Sequence, residues 1–326
     1  MSPSEGISKE LDEKFVKLIG KFVSDIRNGK VRGSTSTALA AVTLLEQIIT
    51  DSQNATALEF GSKRTQARRG EQPAHINSGE GSGASLQRLV LAAPARRGTL
   101  GAALDLREPI RDHIAELRQE LETSASSISA QAREHVRGDE LVLTYGASAL
   151  AERFLRAAAP ARYQLVLAEG LHVAESHAMA SRLSAAGVPV TVISNAAIYA
   201  VMSRVNKVVI SVKAALGGGA ALAPAGAHAA TQAAHYYSVP VLALAPLYKL
   251  SPLHASDSSR IDELVAPHSS LPYSRCEVGA VHTFAPMYDL TPPEHISCFI
   301  TNLGGSSPSY MYRLLSELYD PNDYTM

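Results

Sequence analysis

The sequence lacks an excess of charge of either sign. Lys and Arg number 30 against 31 Asp and Glu, for a formal net charge of −1. Nucleic-acid and anionic-membrane binders rely on a basic surplus to displace counterions, so neither a direct nucleic-acid partner nor a membrane is expected. Cysteine is nearly absent. Cys276 and Cys298 are too few for a disulfide framework and lack the paired spacing of a structural zinc site, which points to a reducing compartment. Long apolar runs are missing as well: the stretch 214–230 is broken by Gly217, Gly218, Gly219, Pro224 and His228, so no membrane span is expected. The opening residues MSPSEGISKELDEKF are charged where a signal peptide would be apolar. These absences lead to the expectation of a cytoplasmic protein. What is present is a hydrophobic fraction of 46% over 326 residues, enough for one large domain or two ordinary ones.

The apolar residues change period along the chain. Phe15, Leu18, Ile19, Phe22, Val23 and Ile26 recur at helical spacing, as do Ala38, Ala41, Val42, Leu45, Ile48 and Ile49. Between the two runs, Asn28, Gly29 and Gly33 supply a turn. From 51 to 86 the pattern gives way to Ser, Asn, Gln, Gly and a small basic cluster, a flexible insertion by composition. Helical spacing returns at Ser85, Leu86, Leu89 and Val90, and then from Ile110 through Ile114, Leu117, Leu121, Ile128 and Ala132, which predicts one long amphipathic helix. After Gly138, short apolar runs at 141–145, 165–168, 188–193, 208–212 and 239–244 alternate with helical segments near 148–159, 174–186, 196–204 and 226–237. That alternation is the mark of a parallel sheet covered on both faces. The fold class predicted is therefore α/β: an N-terminal helical domain over 1–137, with the insertion at about 51–86, then a doubly wound sheet domain over 138–326.

Ligands of such sheets gather at the carboxyl ends of the strands. Gly146-Ala147-Ser148-Ala149-Leu150 imitates a nucleophile elbow, but Leu150 replaces the closing glycine, and Ser148 reads as a helix cap. Gly217-Gly218-Gly219 has neither P-loop nor dinucleotide spacing and reads as a turn. Thr301 through Pro308 ends in a serine cap followed by proline, the start of a helix. The pairs His172 and His177, and His228 and His235, lack the i, i+4 spacing of a helical metal site. Glu169, a lone carboxylate at a strand end, is weak evidence of catalysis. No metal, cofactor or catalytic residue is expected.

The stretches VISNAAIYAVMSRVNKVVISVKAALGGGA (192–220), APLYKLSP (245–252), APMYDLTPPEHISCFITNLGGSSPSYMYRLLSELYDPND (285–323) and LLEQIITD (44–51) resemble the alpha/beta/delta regulatory family of translation initiation factor 2B, the complex that exchanges guanine nucleotide on initiation factor 2. The resemblance is closest to the beta branch and covers nearly the whole chain outside 52–100. It implies a Rossmann-like C-terminal domain and a non-catalytic regulatory role. It also implies the delta, gamma, epsilon and alpha subunits of that complex as partners, and a surface that receives the alpha subunit of initiation factor 2 and senses its phosphorylation. The same domain resembles methylthioribose-1-phosphate and ribose-1,5-bisphosphate isomerases, whose cysteine and aspartate fall here at Gly146 and Lys213. An Asn-Lys pair of those enzymes falls near Ala223 and Pro224. Glycine has no side chain and lysine is cationic at neutral pH, so the proton shuttle between sugar carbons is lost. A sugar-phosphate isomerase remains the alternative reading, and a metabolite-binding scaffold a third.

Two surfaces follow as expectations. On the polar side of the long helix, Arg118 and Arg133 are candidates for docking initiation factor 2. At the carboxyl terminus, a helix over 308–320 places Met311, Leu314, Leu315 and Leu318 on one face and Tyr310, Tyr312 and Tyr319 on others. A helix apolar on several sides needs a second burying surface, and tyrosine suits an interface rim. With the adjoining loop, this makes Asn302, Gly304, Gly305, Tyr310, Tyr312 and Tyr319 the candidate subunit interface, with delta as the expected partner.

Overall fold

The computed structural model describes residues 16–26, 28, 30, 31, 33–51, 107–253, 264, 282 and 284–319. Apart from Asp51, the insertion expected at about 51–86 lies outside these residues, as do the helical pattern of Ser85 to Val90 and Cys276. The chain forms two compact units divided between Glu122 and Thr123.

In the first unit, helix α1 (16–26) and helix α2 (Ser34–Asp51) are joined by the expected bend. The bend is fastened by Lys30, whose Nζ lies 2.9 Å from Asp25, while Gly33 takes the left-handed φ of +89° that its lack of a Cβ permits. Helix α3 (Arg107–Ala130) is the long amphipathic helix. Ile114, Leu117, Leu121, Ser124 and Ile128 are buried at steps of three and four, one stripe of an α-helix, with Ser129 buried beside it. From Thr123 onward the helix belongs to the second unit, where a short helix α4 (Ala132–His135) follows Gln131 and Val136 then turns to extended backbone.

The second unit carries a seven-stranded sheet in the order β11-β10-β7-β4-β1-β2-β3. Its strands are β1 (Leu141–Tyr145), β2 (Gln164–Ala168), β3 (Val190–Ile193), β4 (Lys207–Ser211), β7 (Val241–Leu244), β10 (Cys298–Thr301) and β11 (Gly304–Ser306). All neighbours are parallel except β10 and β11. Helices α5 (Ala149–Ala158), α6 (Val173–Ala185), α7 (Ile198–Met202) and α8 (Ala227–Tyr236) provide the crossovers. The five expected strands and four expected helices are all present, so the doubly wound α/β reading holds.

Burial explains the continuous apolar runs. Val142, Leu143, Val208, Val209, Leu244, Phe299 and Ile300 are all inaccessible to solvent, as are Phe154, Leu155 and Met179 on the helices. Each such side chain contributes roughly 1.5–3 kcal/mol relative to exposure. Helix α5 starts where Ser148 Oγ accepts the Ala151 amide. Its Glu152 then takes Arg156 from the same helix at 2.7 Å and a forked contact from Arg182 of α6.

A second sheet, in the order β8-β5-β6-β9, was not anticipated. It consists of β5 (Ala214–Leu216), β6 (Ala221–Pro224), β8 (Leu250–Ser251) and β9 (Tyr288–Thr291). The three glycines at 217–219 are the turn between β5 and β6, in keeping with the turn reading. The 301–308 segment differs from expectation: Thr301 and Gly304 close a β10–β11 hairpin before Pro308–Tyr310 opens a 3-10 turn into helix α9 (Met311–Leu318). Ser307 occupies the cap position without a cap hydrogen bond; its hydroxyl lies 2.9 Å from that of Ser309.

Candidate functional site

Strand order reverses between β1 and β4, the point where a doubly wound sheet opens its ligand crevice. Gly146 follows β1 and Lys213 follows β4, so both isomerase-equivalent positions stand at this switch point. Gly146 has φ +65°, its amide donates to Ala168 O, and its Cα sits where a Cβ on Gly170 would come within 2.7 Å. Lys213 places its ammonium 4.0 Å from the centre of the Tyr288 ring, a cation–π contact.

The crevice is lined by groups already committed to this chain. Tyr145 Oη donates to Ala225 O at 2.6 Å, and a Cβ on Gly226 would fall 1.9 Å from that oxygen. Burial pushes the Tyr145 hydroxyl up to about 12, and the nearby Asp289 adds to this, while a hydrogen bond with the Asn195 side chain acts against it. Asp289 Oδ2 accepts the Gly226 amide at 2.7 Å and the His228 amide at 3.1 Å, capping the start of α8. Its Oδ1 is buried and has no hydrogen-bond partner among the described residues. Burial raises this carboxyl above its ordinary range, and the two amide bonds pull it back. Sequence reasoning assigned Asp289 no role: a lone Asp in a loop-like stretch gives no signal until β9 carries it to the helix terminus.

Five of the described histidines fall into two groups. His177 Nε2 lies 2.7 Å from Glu169 at the end of β2, while His172 is the N-cap of α6 with no cap bond from its side chain. His228 and His235 both contact the ring of His295, edge-on at 5.5 Å and tilted at 4.8 Å between ring centres. Burial and then its two histidine neighbours hold His295 below the usual imidazole range. His235 and His295 line a polar groove of about 260 Å³ with Glu294, Ser238 and Ser297. Among the described residues, no group of three or more His, Cys, Asp or Glu is placed to hold a metal ion.

The carboxyl-terminal candidates form a fastened, partly exposed surface. Asn302 Oδ1 accepts the Leu247 amide at 2.9 Å, and Thr301 Oγ1 both donates to Gly304 O and accepts the Leu303 amide. Gly304 takes φ +130°, and a Cβ on Gly305 would press on Cys298 Sγ at 3.1 Å. Leu303, at the hairpin tip, is 73% exposed, Tyr310 41% and Tyr312 68%. Leu303 lies in the 302–307 loop expected at the interface but was not singled out, because a single leucine in a Gly/Ser stretch has no period. Tyr319 differs from its expected outward placement. Helix α9 ends at Leu318, the extended backbone of Tyr319 (φ −128°, ψ 134°) leaves the helical course, and the ring is 3% exposed with its hydroxyl donating to Leu250 O.

Of the two arginines singled out for docking, Arg118 is paired with Glu46 of α2, whereas Arg133 is exposed on α4. No helix among the described residues is long and apolar enough to cross a membrane.

Comparison with known proteins yields consistent matches. The model of the Initiation factor 2 subunit family matches residues 30–308. Translation initiation factor eIF2B subunit beta of Schizosaccharomyces pombe (strain 972 / ATCC 24843) is 38% identical over 247 residues, 73% of this chain and 63% of that protein. The Dictyostelium discoideum eIF2B subunit beta is 39% identical over 220 residues, 67% of this chain and 57% of that protein. The matched segment thus spans less than two thirds of either relative's length. Among solved structures, the tetrameric eIF2B-beta2-delta2 complex from C. thermophilum contains a similar fold (TM-score 0.73, 24% identity, 98% of this chain and 100% of that chain). So does 5-methylthioribose 1-phosphate isomerase from Pyrococcus horikoshii OT3 (TM-score 0.62, 21% identity, 91% and 86%).

Proposed function

The chain belongs to the initiation factor 2 subunit family, and from that membership we propose that it is a beta-type, non-catalytic regulatory subunit of the guanine-nucleotide exchange complex for translation initiation factor 2, acting in the cytoplasm. The observation that carries this reading is identity of 38% and 39% to two eIF2B beta subunits over about 70% of the chain. Crevice chemistry supports it. An isomerase that moves a proton between adjacent sugar carbons needs a paired acid and base. Here Gly146 offers no side chain, Lys213 is a cation against Tyr288, and Asp289 is engaged as a helix cap.

In this reading the Rossmann-like part, 138–326, pairs with delta through the surface of Leu303, Tyr310 and Tyr312, and the assembly engages gamma, epsilon and alpha. The helical part, 1–137, receives the alpha subunit of initiation factor 2, with Arg133 contributing and Arg118 held by Glu46, and takes part in sensing its phosphorylation. The test is affinity capture of the tagged chain from lysate of its own source. Recovery of the other four subunits supports the proposal. Recovery of none, with turnover of methylthioribose-1-phosphate or ribose-1,5-bisphosphate above buffer, overturns it in favour of the isomerase.

A further inference from the structure

The second sheet touches the carboxyl-terminal helix at both of its ends. At the near end, Gly219 in the β5–β6 turn has φ +78°, and a Cβ there would lie 2.5 Å from Pro308 O and 2.9 Å from its carbonyl carbon. That same oxygen accepts the Met311 amide, the hydrogen bond that closes the 3-10 turn and leads into α9. At the far end, Tyr319 Oη donates to Leu250 O at 2.9 Å, and Leu250 lies on β8, which pairs in parallel with β5 through Ala215. Between the two ends, Met311, Leu314 and Leu315 are buried.

The sheet itself is anchored deeply. Lys249, 5% exposed, donates from Nζ to Val212 O at 2.9 Å, so an ammonium taken out of water holds β8 against the end of β4. The Gly217 amide donates to Leu253 O, tying the glycine turn to the chain just beyond β8. Three consecutive glycines without the spacing of a phosphate loop thus have a positional use: at Gly219 the missing Cβ is what lets Pro308 approach.

We propose that the four-stranded sheet is a clamp that sets the position of α9, with Gly219 and Tyr319 as its positioning residues, and so presents Tyr310 and Tyr312 in one fixed arrangement to the partner subunit. The partner half of this statement rests on the reading of that surface as the delta interface; the clamp does not. Gly218 supplies an internal control, because a Cβ there meets nothing within 4 Å. A loosened helix would bind its partner more weakly because it must be ordered on binding.

The experiment is hydrogen exchange on the full chain, followed by co-expression with delta, for wild type, Gly218→Ala, Gly219→Ala and Tyr319→Phe. The clamp predicts several-fold faster exchange across 308–319 in Gly219→Ala, a smaller increase in Tyr319→Phe, wild-type exchange in Gly218→Ala, and unchanged protection in β1, β4 and β7 for all three. Wild-type protection of 308–319 in Gly219→Ala overturns the clamp, as does equal loosening in Gly218→Ala or loss of protection throughout the seven-stranded sheet. Recovery with delta is read separately. Loosened 308–319 with reduced recovery supports both halves, and loosened 308–319 with full recovery keeps the clamp and overturns its use in docking. Should Gly219→Ala fail to accumulate, Tyr319→Phe against wild type decides alone: faster exchange confined to 308–319 supports the clamp and unchanged exchange overturns it.

Discussion

The switch-point crevice and the carboxyl-terminal surface lie on the same sheet domain and treat their aromatic residues in opposite ways. In the crevice, Tyr145 is turned inward against Gly226 and spends its hydroxyl on Ala225 O. At the surface, Tyr312 and Leu303 stand 68% and 73% exposed on a hairpin and helix whose backbones are firmly bonded. Bulky groups are thus bonded inward at the crevice and displayed outward at the carboxyl-terminal surface. Residues that fill a crevice should matter for stability, and residues displayed on a fixed backbone should matter for association.

The largest effect is expected at Gly226. An alanine there puts its Cβ 1.9 Å from Tyr145 Oη at a φ of +98°, which costs strain and overpacking together. Gly226→Ala should lose about 3 kcal/mol in urea unfolding, and adding Tyr145→Ala should recover part of it. Additive losses in the double variant would mean the two groups are not in conflict.

Asp289 comes next and carries a pH signature. Its carboxyl is raised in the folded chain, so its contribution is fully present below the unfolded value near 4 and is lost as pH rises through the folded value. Asp289→Asn keeps an oxygen for the Gly226 and His228 amides and has no charge to bury. Its stability relative to wild type should therefore improve from pH 4 to pH 7 in thermal melts. A difference that is flat or falls with pH would show that the charged form is the favoured one. Asp289→Ala, which removes the cap altogether, should cost about 1 kcal/mol.

Leu303→Ser and Tyr312→Ser invert this pattern. Stability should move by no more than about 0.5 kcal/mol, while recovery with delta falls sharply. Full recovery of the double variant would place the interface elsewhere. Tyr319 does not serve as a probe of this kind, because its ring is buried and replacing it with a polar residue perturbs the fold itself. The smallest change in stability is expected for Arg133→Glu, an exposed side chain, with weakened binding of initiation factor 2 as its readout. Arg118→Glu also breaks the pair with Glu46, worth at most about 1 kcal/mol at a partly exposed site, so it needs Glu46→Arg beside it.

How much of this was legible in the sequence depended on element length. The switch from helical spacing to short apolar runs after Gly138 located five strands and four helices, because fully buried parallel strands read as uninterrupted Val, Leu and Ile. The second sheet escaped. Its strands are two to four residues long, built from Ala214–Leu216, Ala221–Pro224, Leu250–Ser251 and Tyr288–Thr291, and alanine and proline carry little strand preference. Apart from the β5–β6 hairpin, its pairings join strands far apart along the chain, and pairing across such distances leaves no local pattern. Gly146 and Lys213 could be located from the resemblance, since the question was only which side chain occupied a known place. Asp289, Lys249 and the ring contacts of His295 with His228 and His235 needed the tertiary structure, as single polar residues have no period. Tyr319 was assigned to an outer face by continuing the helix two residues past its actual end.

The most direct measurement of the central claim is guanine-nucleotide release from initiation factor 2 by its own exchange complex, assembled with and without this chain. The complex containing the chain is expected to be inhibited when the alpha subunit of initiation factor 2 is phosphorylated, and to lose that inhibition when the chain is left out. Identical release and identical inhibition in its absence would contradict it.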